Sequence, residues 1–342
     1  MGLFDFLRDL FRPVKRPAPD PPPPAGAKAK GPPNRGASPP PAGLPPIESL
    51  AVLAGRLGIP QKDLAWLMKP RAKHYHTHEI PKADGRVRKI ESPKSRLKKA
   101  QRWILREILD RVPAAPAAHG FVKGRSPATN AAPHAFKAIV AKLDLRDFFW
   151  QVTLRRARGI FEALGYSGDV AKALARLSCR DGRLPQGAPT SPALTNLACR
   201  RLDRRLEALA RAFGASYTRY ADDITISHRT GCAPLDRLLA WTKTILREEG
   251  FHLAPEKTRI VRRGSRQTVT GLTVNARVSP PRGTVRALRA LLHEAKTKGA
   301  AAANRDGLPH FAAHVRGRVE AVRAVDRAKG EKLLAAWRSV NW

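Results

Sequence analysis

Apolar and polar positions along this chain change register often, and the changes mark out short elements. Met1 to about Val14 gathers Leu3, Phe4, Phe6, Leu7, Leu10 and Phe11 into a short amphipathic helix or a frayed terminus. Lys15 to Pro46 has proline runs at Pro21–Pro24 and Pro39–Pro41 and no apolar period, so it reads as a disordered, extended, basic linker. Patterned sequence begins near Ile47. A helix over Ser49–Leu57 stops at Gly58, and a second runs over Gln61–Met68. Tyr75–Pro93 has strand character with a turn at Ala83-Asp84-Gly85, followed by a basic helix over Ser95–Leu109. Ile139–Val152 reads as a hydrophobic strand turning at Asp147, with helices over Arg156–Leu164 and Asp169–Leu177 after it. Beyond the loop Arg183–Thr190, one long helix is expected over Ser191–Phe213, with Leu194, Leu197, Leu202, Leu206 and Leu209 on its apolar side. Tyr217–Ser227 reads as two short strands meeting at a tight turn. A helix over Pro234–Gly250, a strand pair formed by Lys257–Val261 and Thr268–Val274, and basic helices to Trp337 complete the pattern. No internal repeat is visible.

Charge narrows the class. A formal net charge of +36 over 342 residues implies a polyanionic partner, either nucleic acid or an acidic membrane surface. No apolar run approaches a membrane span. Asp5 and the lack of a small-residue cleavage site argue against a secretory signal, and Phe6 argues against myristoylation. Cys179, Cys199 and Cys232 are odd in number and far apart, which fits a reducing cytoplasm better than a disulfide framework or zinc site.

The chemistry centres on Ala221-Asp222-Asp223 at the bend of the short hairpin. Adjacent carboxylates raise each other's pKa unless positive charge sits beside them, and a divalent metal supplies it. Mg²⁺ favours one or two carboxylates plus substrate phosphates over an all-protein cage. An ordinary solvated Asp-Asp turn is the bland alternative. Asp144, in Lys142-Leu143-Asp144-Leu145, ends a β-type run and can face across a sheet toward the hairpin; a strand-end Asp can equally be a turn or cap residue. Asp147 is the better candidate for capping the following turn. Between the acidic segments lies Leu184-Pro185-Gln186-Gly187-Ala188-Pro189-Thr190-Ser191-Pro192, a string that a bland helix start does not explain.

A strand Asp, then this loop, then Tyr220-Ala221-Asp222-Asp223 resembles the fingers and palm of reverse transcriptases, over roughly Ser49 to Trp337. Asn130-Ala131-Ala132-Pro133-His134 and Val269-Thr270-Gly271 narrow the resemblance to the bacterial retron-type branch. The resemblance implies an α+β right-hand polymerase fold with fingers, a palm of antiparallel sheet plus helices, and a helical thumb. After a Pro/Ala/Lys-rich disordered extension over residues 1–46 and a helical segment over 47–74, it implies fingers and palm over 75–275 and a thumb with RNA-binding region over 276–342.

Its activity would be RNA-directed DNA polymerisation from dNTPs, primed by an RNA 2′-OH and giving a joined RNA–DNA product. Asp144, Asp222 and Asp223, with the Leu145 carbonyl, would hold two Mg²⁺ ions, and Lys257 would protonate the pyrophosphate. Lys82 and Arg88 would grip the triphosphate, Gln186 would pack on the incoming nucleotide, and Phe149 would exclude a 2′-OH; a surface charge or a core aromatic is the alternative at these positions. Asn130, His134, Val269, Thr270 and Gly271 would contact the cognate structured RNA, although a buried histidine is an equal reading of His134. The partners implied are that non-coding RNA and a separate effector or toxin chain, in cytoplasmic antiphage defence. The proline-rich extension exceeds what the family pattern needs. Reverse transcriptases of group II introns or diversity-generating elements, and a catalytically silent RNA-binding scaffold, are the competing readings.

Overall fold

The computed structural model describes residues 43–69, 73–81, 85, 87–230 and 235–342. The expected N-terminal helix and almost all of the linker, together with Lys82, Ala83, Asp84 and Cys232, lie outside them. The chain divides into two compact units, one built from residues up to Ala115 with Asp147–Ala212 and Thr244–Phe251, the other from Pro116–Arg146, Phe213–Lys243 and His252–Trp342.

The first unit is mainly helical. Ser49 caps Leu50–Leu57 by accepting from Val52 N–H, and Gly58 ends that helix at φ 66°, where a side chain would be strained. Leu53, Leu64, Leu97, Ile104, Phe161 and Leu174 form its core. Strands β1 (Tyr75–Pro81) and β2 (Val87–Pro93) make the expected hairpin. The long helix expected over 191–213 is instead two, Ser191–Ala198 and Arg200–Ala212. They meet at Cys199, after Thr195 Oγ1 donates back to the Ser191 carbonyl at 2.7 Å, a bond that bends helices.

The second unit is built on a four-stranded antiparallel sheet of β3 (Ile139–Asp144), β4 (Ala215–Tyr220), β5 (Asp223–His228) and β6 (Arg259–Arg262), ordered β4-β5-β3-β6. β3 stops at Asp144, short of the expected strand end. Asp147 then takes φ 45° and opens a turn in which Gln151 N–H donates to its carbonyl. Lys257–Val261 and Thr268–Val274 do not pair with each other. β6 joins the sheet against β3, and the second segment folds on itself as β7 (Thr268–Val269) and β8 (Leu272–Thr273). Thr270 (φ 46°) and Gly271 (φ 79°) supply the two left-handed residues that so tight a turn needs, which is why the segment closes locally. Helices Arg282–Lys298, Phe311–Val325 and Arg327–Arg338 pack Val285, Leu288, Val315, Val319 and Leu333 into a separate small core. Asp326 divides the last two by capping Lys329 N–H. Among the described residues no helix is long and apolar enough to cross a membrane.

Candidate active site

β-branched Ile224 and Ile226 are buried on one face of β5, so period-two alternation turns Asp223, Thr225 and Ser227 to the other face. Asp144 pairs with Asp223 in register, and Lys142 with Thr225, so the same face carries Asp144 and Lys142. Asp222 precedes β5 in the turn, where Ala221 sits at φ 56°. Leu145 N–H donates to the Asp222 carbonyl at 3.0 Å, and Ala254 N–H to the Asp144 carbonyl at 2.8 Å. The backbone thereby fixes Asp144 against the turn. The short 3-10 turn Pro255–Lys257 brings Lys257 Nζ to 2.7 Å from Asp144 Oδ1, a charge-assisted bond.

Burial pushes the Asp222 carboxyl above the ordinary 3.8, with Asp223 and Asp144 raising it further and Lys257 opposing. Burial likewise raises Asp223, with Lys142 opposing and Asp144 adding to the rise. The site therefore concentrates negative charge that the fold disfavours. Among the described residues, no three His, Cys, Asp or Glu side chains close into a metal cage. The donor set nevertheless suits a hard divalent cation, which takes carboxylate oxygens and completes its shell with substrate phosphates. The fold brings together the three acids and Lys257, which the motifs had singled out. Lys142 was missed, although its position two residues before Asp144 puts it on the same strand face.

The remaining expected residues fall in several places. Arg88 is exposed on β2, and Lys82 lies outside the described residues. The Gln186 carbonyl accepts from Glu91 N–H at 2.7 Å. Gly187, at φ 122°, lets the loop approach β2, since a Cβ there would meet the Glu91 carbonyl oxygen at 3.0 Å. Phe149 is half-buried against the core of the helical unit, 5.6 Å from the Phe148 ring.

Asn130, His134 and Val269 are fully buried, so their side chains present no surface to a polymer. The Asn130 amide has no hydrogen-bond partner among the described residues, whereas both His134 ring nitrogens are bonded internally. Val269 packs with Ala131 and Val140. Thr270 Oγ1 donates to the Pro127 carbonyl at 2.9 Å, and Gly271 is exposed at the turn. In the same unit, a cavity of about 860 Å³ is lined by Arg266, Arg277, Arg282, Arg286, Arg289 and Lys329. Arg282, Arg286 and Arg289 recur at helical spacing on one face of Arg282–Lys298.

Residues 80–285 match the family described as reverse transcriptase (RNA-dependent DNA polymerase). The retron Mx162 reverse transcriptase of Myxococcus xanthus is 41% identical over 330 residues, covering 86% of this chain and 67% of that protein. The retron Mx65 reverse transcriptase of the same organism is 44% identical, covering 72% of this chain and 62% of that one. The retron Ec86 reverse transcriptase of Escherichia coli is 34% identical, covering 73% and 79%. The chain thus spans about two thirds of its Myxococcus relatives. Its α+β architecture is that of the right-hand polymerases, and the reverse transcriptase family whose model it matches generally uses divalent metal ions, an RNA template and dNTPs. This chain belongs to the reverse transcriptase family and, within it, to the retron type of RNA-directed DNA polymerase.

Proposed function

We propose that this enzyme copies part of a structured non-coding RNA into single-stranded DNA, primed from a 2′-OH of that RNA, with Asp144, Asp222 and Asp223 as its catalytic carboxylates. The observation that carries the reading is the in-register pairing of Asp144 with Asp223 beside Asp222, with Lys257 bonded to Asp144. Phosphoryl transfer asks a protein mainly for positioning and charge neutralisation, and these groups are arranged for that. The three carboxylates, with the Leu145 carbonyl, would hold two Mg²⁺ ions, whose chemistry when bound is activation of the attacking hydroxyl and neutralisation of the leaving pyrophosphate. Lys257 holds a proton beside Asp144 and can give it to that leaving group. By their motifs, Lys82 and Arg88 take the triphosphate, Gln186 the incoming nucleotide, and Phe149 the exclusion of a 2′-OH.

The direct test is to isolate nucleic acid that co-purifies with the protein, digest it with RNase, and run it beside material from an Asp222→Asn/Asp223→Asn variant. A discrete short DNA with a nucleotide remnant at its 5′ end, absent from the variant, is expected. Synthesis only on added primer–templates would favour an intron or diversity-generating branch instead. Lys257→Ala is expected to lower the single-turnover incorporation rate by about 10²-fold with little change in primer–template affinity.

The basic cavity and Gly271 turn are proposed as part of the RNA interface, with the exposed face of Arg282–Lys298 along the duplex. Such binding releases counterions. Affinity for structured RNA should therefore fall by roughly 10³-fold between 50 and 200 mM salt. Replacing both Arg286 and Arg289 by Gln should make the log–log salt slope shallower by about two, read by fluorescence anisotropy. A defensive role with a separate effector chain completes the proposal, and deleting the enzyme together with that partner in its host would test it by phage plating.

A further inference from the structure

The face of the sheet that carries Asp144 and Asp223 also carries Thr218 and Ser227, because Thr218 pairs with Thr225 and Ser216 with Ser227. His134 closes on these two residues from the end of the 3-10 turn Ala132–His134. Its Nδ1 lies 2.7 Å from Ser227 Oγ and its Nε2 2.8 Å from Thr218 Oγ1. One ring thus ties together both strands of the hairpin whose turn holds Asp222 and Asp223. Burial, with Lys137 and His119 adding, drives its pKa down to about 3, so the ring stays neutral and one nitrogen donates while the other accepts.

The segment leading to His134 is itself pinned to the hairpin. Arg219 N–H donates to the Ala117 carbonyl and His119 N–H to the Arg219 carbonyl, both at 2.8 Å, along the outer edge of β4. His119 Nδ1 lies 2.9 Å from Thr129 Oγ1, and Thr129 shares a capping box with Ser126 at the start of the short helix Pro127–Ala131. Thr270 Oγ1 holds the other side of that helix through the Pro127 carbonyl. His134 is therefore presented by a support fixed at several points, which a side chain needs if it is to set the geometry of something else.

We propose that residues 117–134 form a bracket that holds the aspartate hairpin in its working position, with His134 as the positioning residue that locks its two strands together. The proposal rests on the reading of Asp222 and Asp223 as catalytic carboxylates. Ser227 is four residues from Asp223, about 13 Å along an extended strand, so His134 acts through the hairpin and touches no substrate.

The test measures single-turnover nucleotide incorporation and primer–template affinity on the full chain. His134→Leu keeps the bulk and removes both bonds, and a drop of about 10²-fold in rate is expected with affinity within about twofold. Ser227→Ala removes one bond to the ring, Thr218→Val removes the other together with the 3.5 Å bond from Thr218 Oγ1 to the Asn130 carbonyl, both with little change of shape, and each should lower the rate by about 3–10-fold. Combined with His134→Leu they should add almost nothing, because all three act through one ring. His134→Gln, whose amide reaches toward the Nε2 position, should recover part of the rate. If His134→Leu fails to fold, the two hydroxyl variants and their double combination carry the test. Rates within twofold of the parent in Ser227→Ala and Thr218→Val, beside an inactive Asp222→Asn, would overturn the bracket. Lost RNA affinity with an unchanged rate at saturation would do the same and would make this an RNA-recognition element. An active Asp222→Asn would instead sink the underlying assignment of the site.

Discussion

Asp222→Asn and Asp223→Asn are each expected to cut DNA synthesis by about 10³-fold while leaving the fold and RNA binding in place, as measured by primer extension beside anisotropy and circular dichroism. The expectation follows from what the site does to these carboxyls. Burial raises both above the ordinary 3.8, and neighbouring carboxylates add to the rise. A site that disfavours its own charge holds a cation well, and that is the use a phosphoryl-transfer site has for it.

The same shift gives a readout independent of activity. A carboxyl whose folded pKa lies above its unfolded one binds its proton more tightly in the native state. Its favourable contribution is therefore present at acid pH and is lost as pH rises from 3.8 through the raised folded value. At neutral pH the metal-free protein carries the full repulsion. Each Asn variant should then melt about 1–3 °C above the parent in EDTA, with the gap closing as pH falls through that window. Mg²⁺ should raise the parent's melting point and do less for either variant. A variant that extends primers near the parent's rate would remove that carboxylate from the chemistry.

The parts of this site legible in the sequence are those set by local pattern. β-branched residues after Asp222-Asp223 specify a strand, a strand-end Asp144 can face it, and the Leu184–Pro192 string fixes a loop that opens a helix. What was illegible depends on partners far away in the chain. β6 pairs with β3, more than a hundred residues earlier, and its exposed Ile260 gave no clean alternation from which to read that partner. His134 stood out by its motif, yet nothing nearby in sequence says that its bonds go to Thr218 and Ser227 or that its ring is fully buried. The break at Cys199 was hidden because Ser191 and Thr195 leave the apolar period intact while bending the backbone. Gly120 was missed for a related reason, since it sits in no turn signature.

Gly120→Ala should separate positioning from stability at that site. A Cβ on Gly120 would stand 2.3 Å from Ala221 N and 2.9 Å from the Tyr220 carbonyl carbon, and neither backbone atom can rotate away. Relief requires a shift of about 1 Å to restore ordinary contact. The adjacent bonds between His119 and Arg219, and between Arg219 and Ala117, hold the bracket side of the contact. On the hairpin side, Arg219 Nη1 donates to the Ala221 carbonyl at 3.0 Å, but Ala221 already sits at φ 56°, where alanine is strained. The turn is therefore the softer partner, and Asp222 and Asp223 move with it. Overpacking of this size costs about 1–3 kcal/mol, a melting shift of a few degrees, whereas a 1 Å error at reacting groups costs about 10²-fold in rate. Gly159→Ala supplies the control: in the helix Leu154–Ala163 its Cβ meets nothing within 4 Å, so it should stabilise slightly and leave synthesis unchanged. A Gly120→Ala enzyme that melts lower but incorporates nucleotides at the parent's rate would show that the bracket, and not the catalytic turn, absorbs the strain.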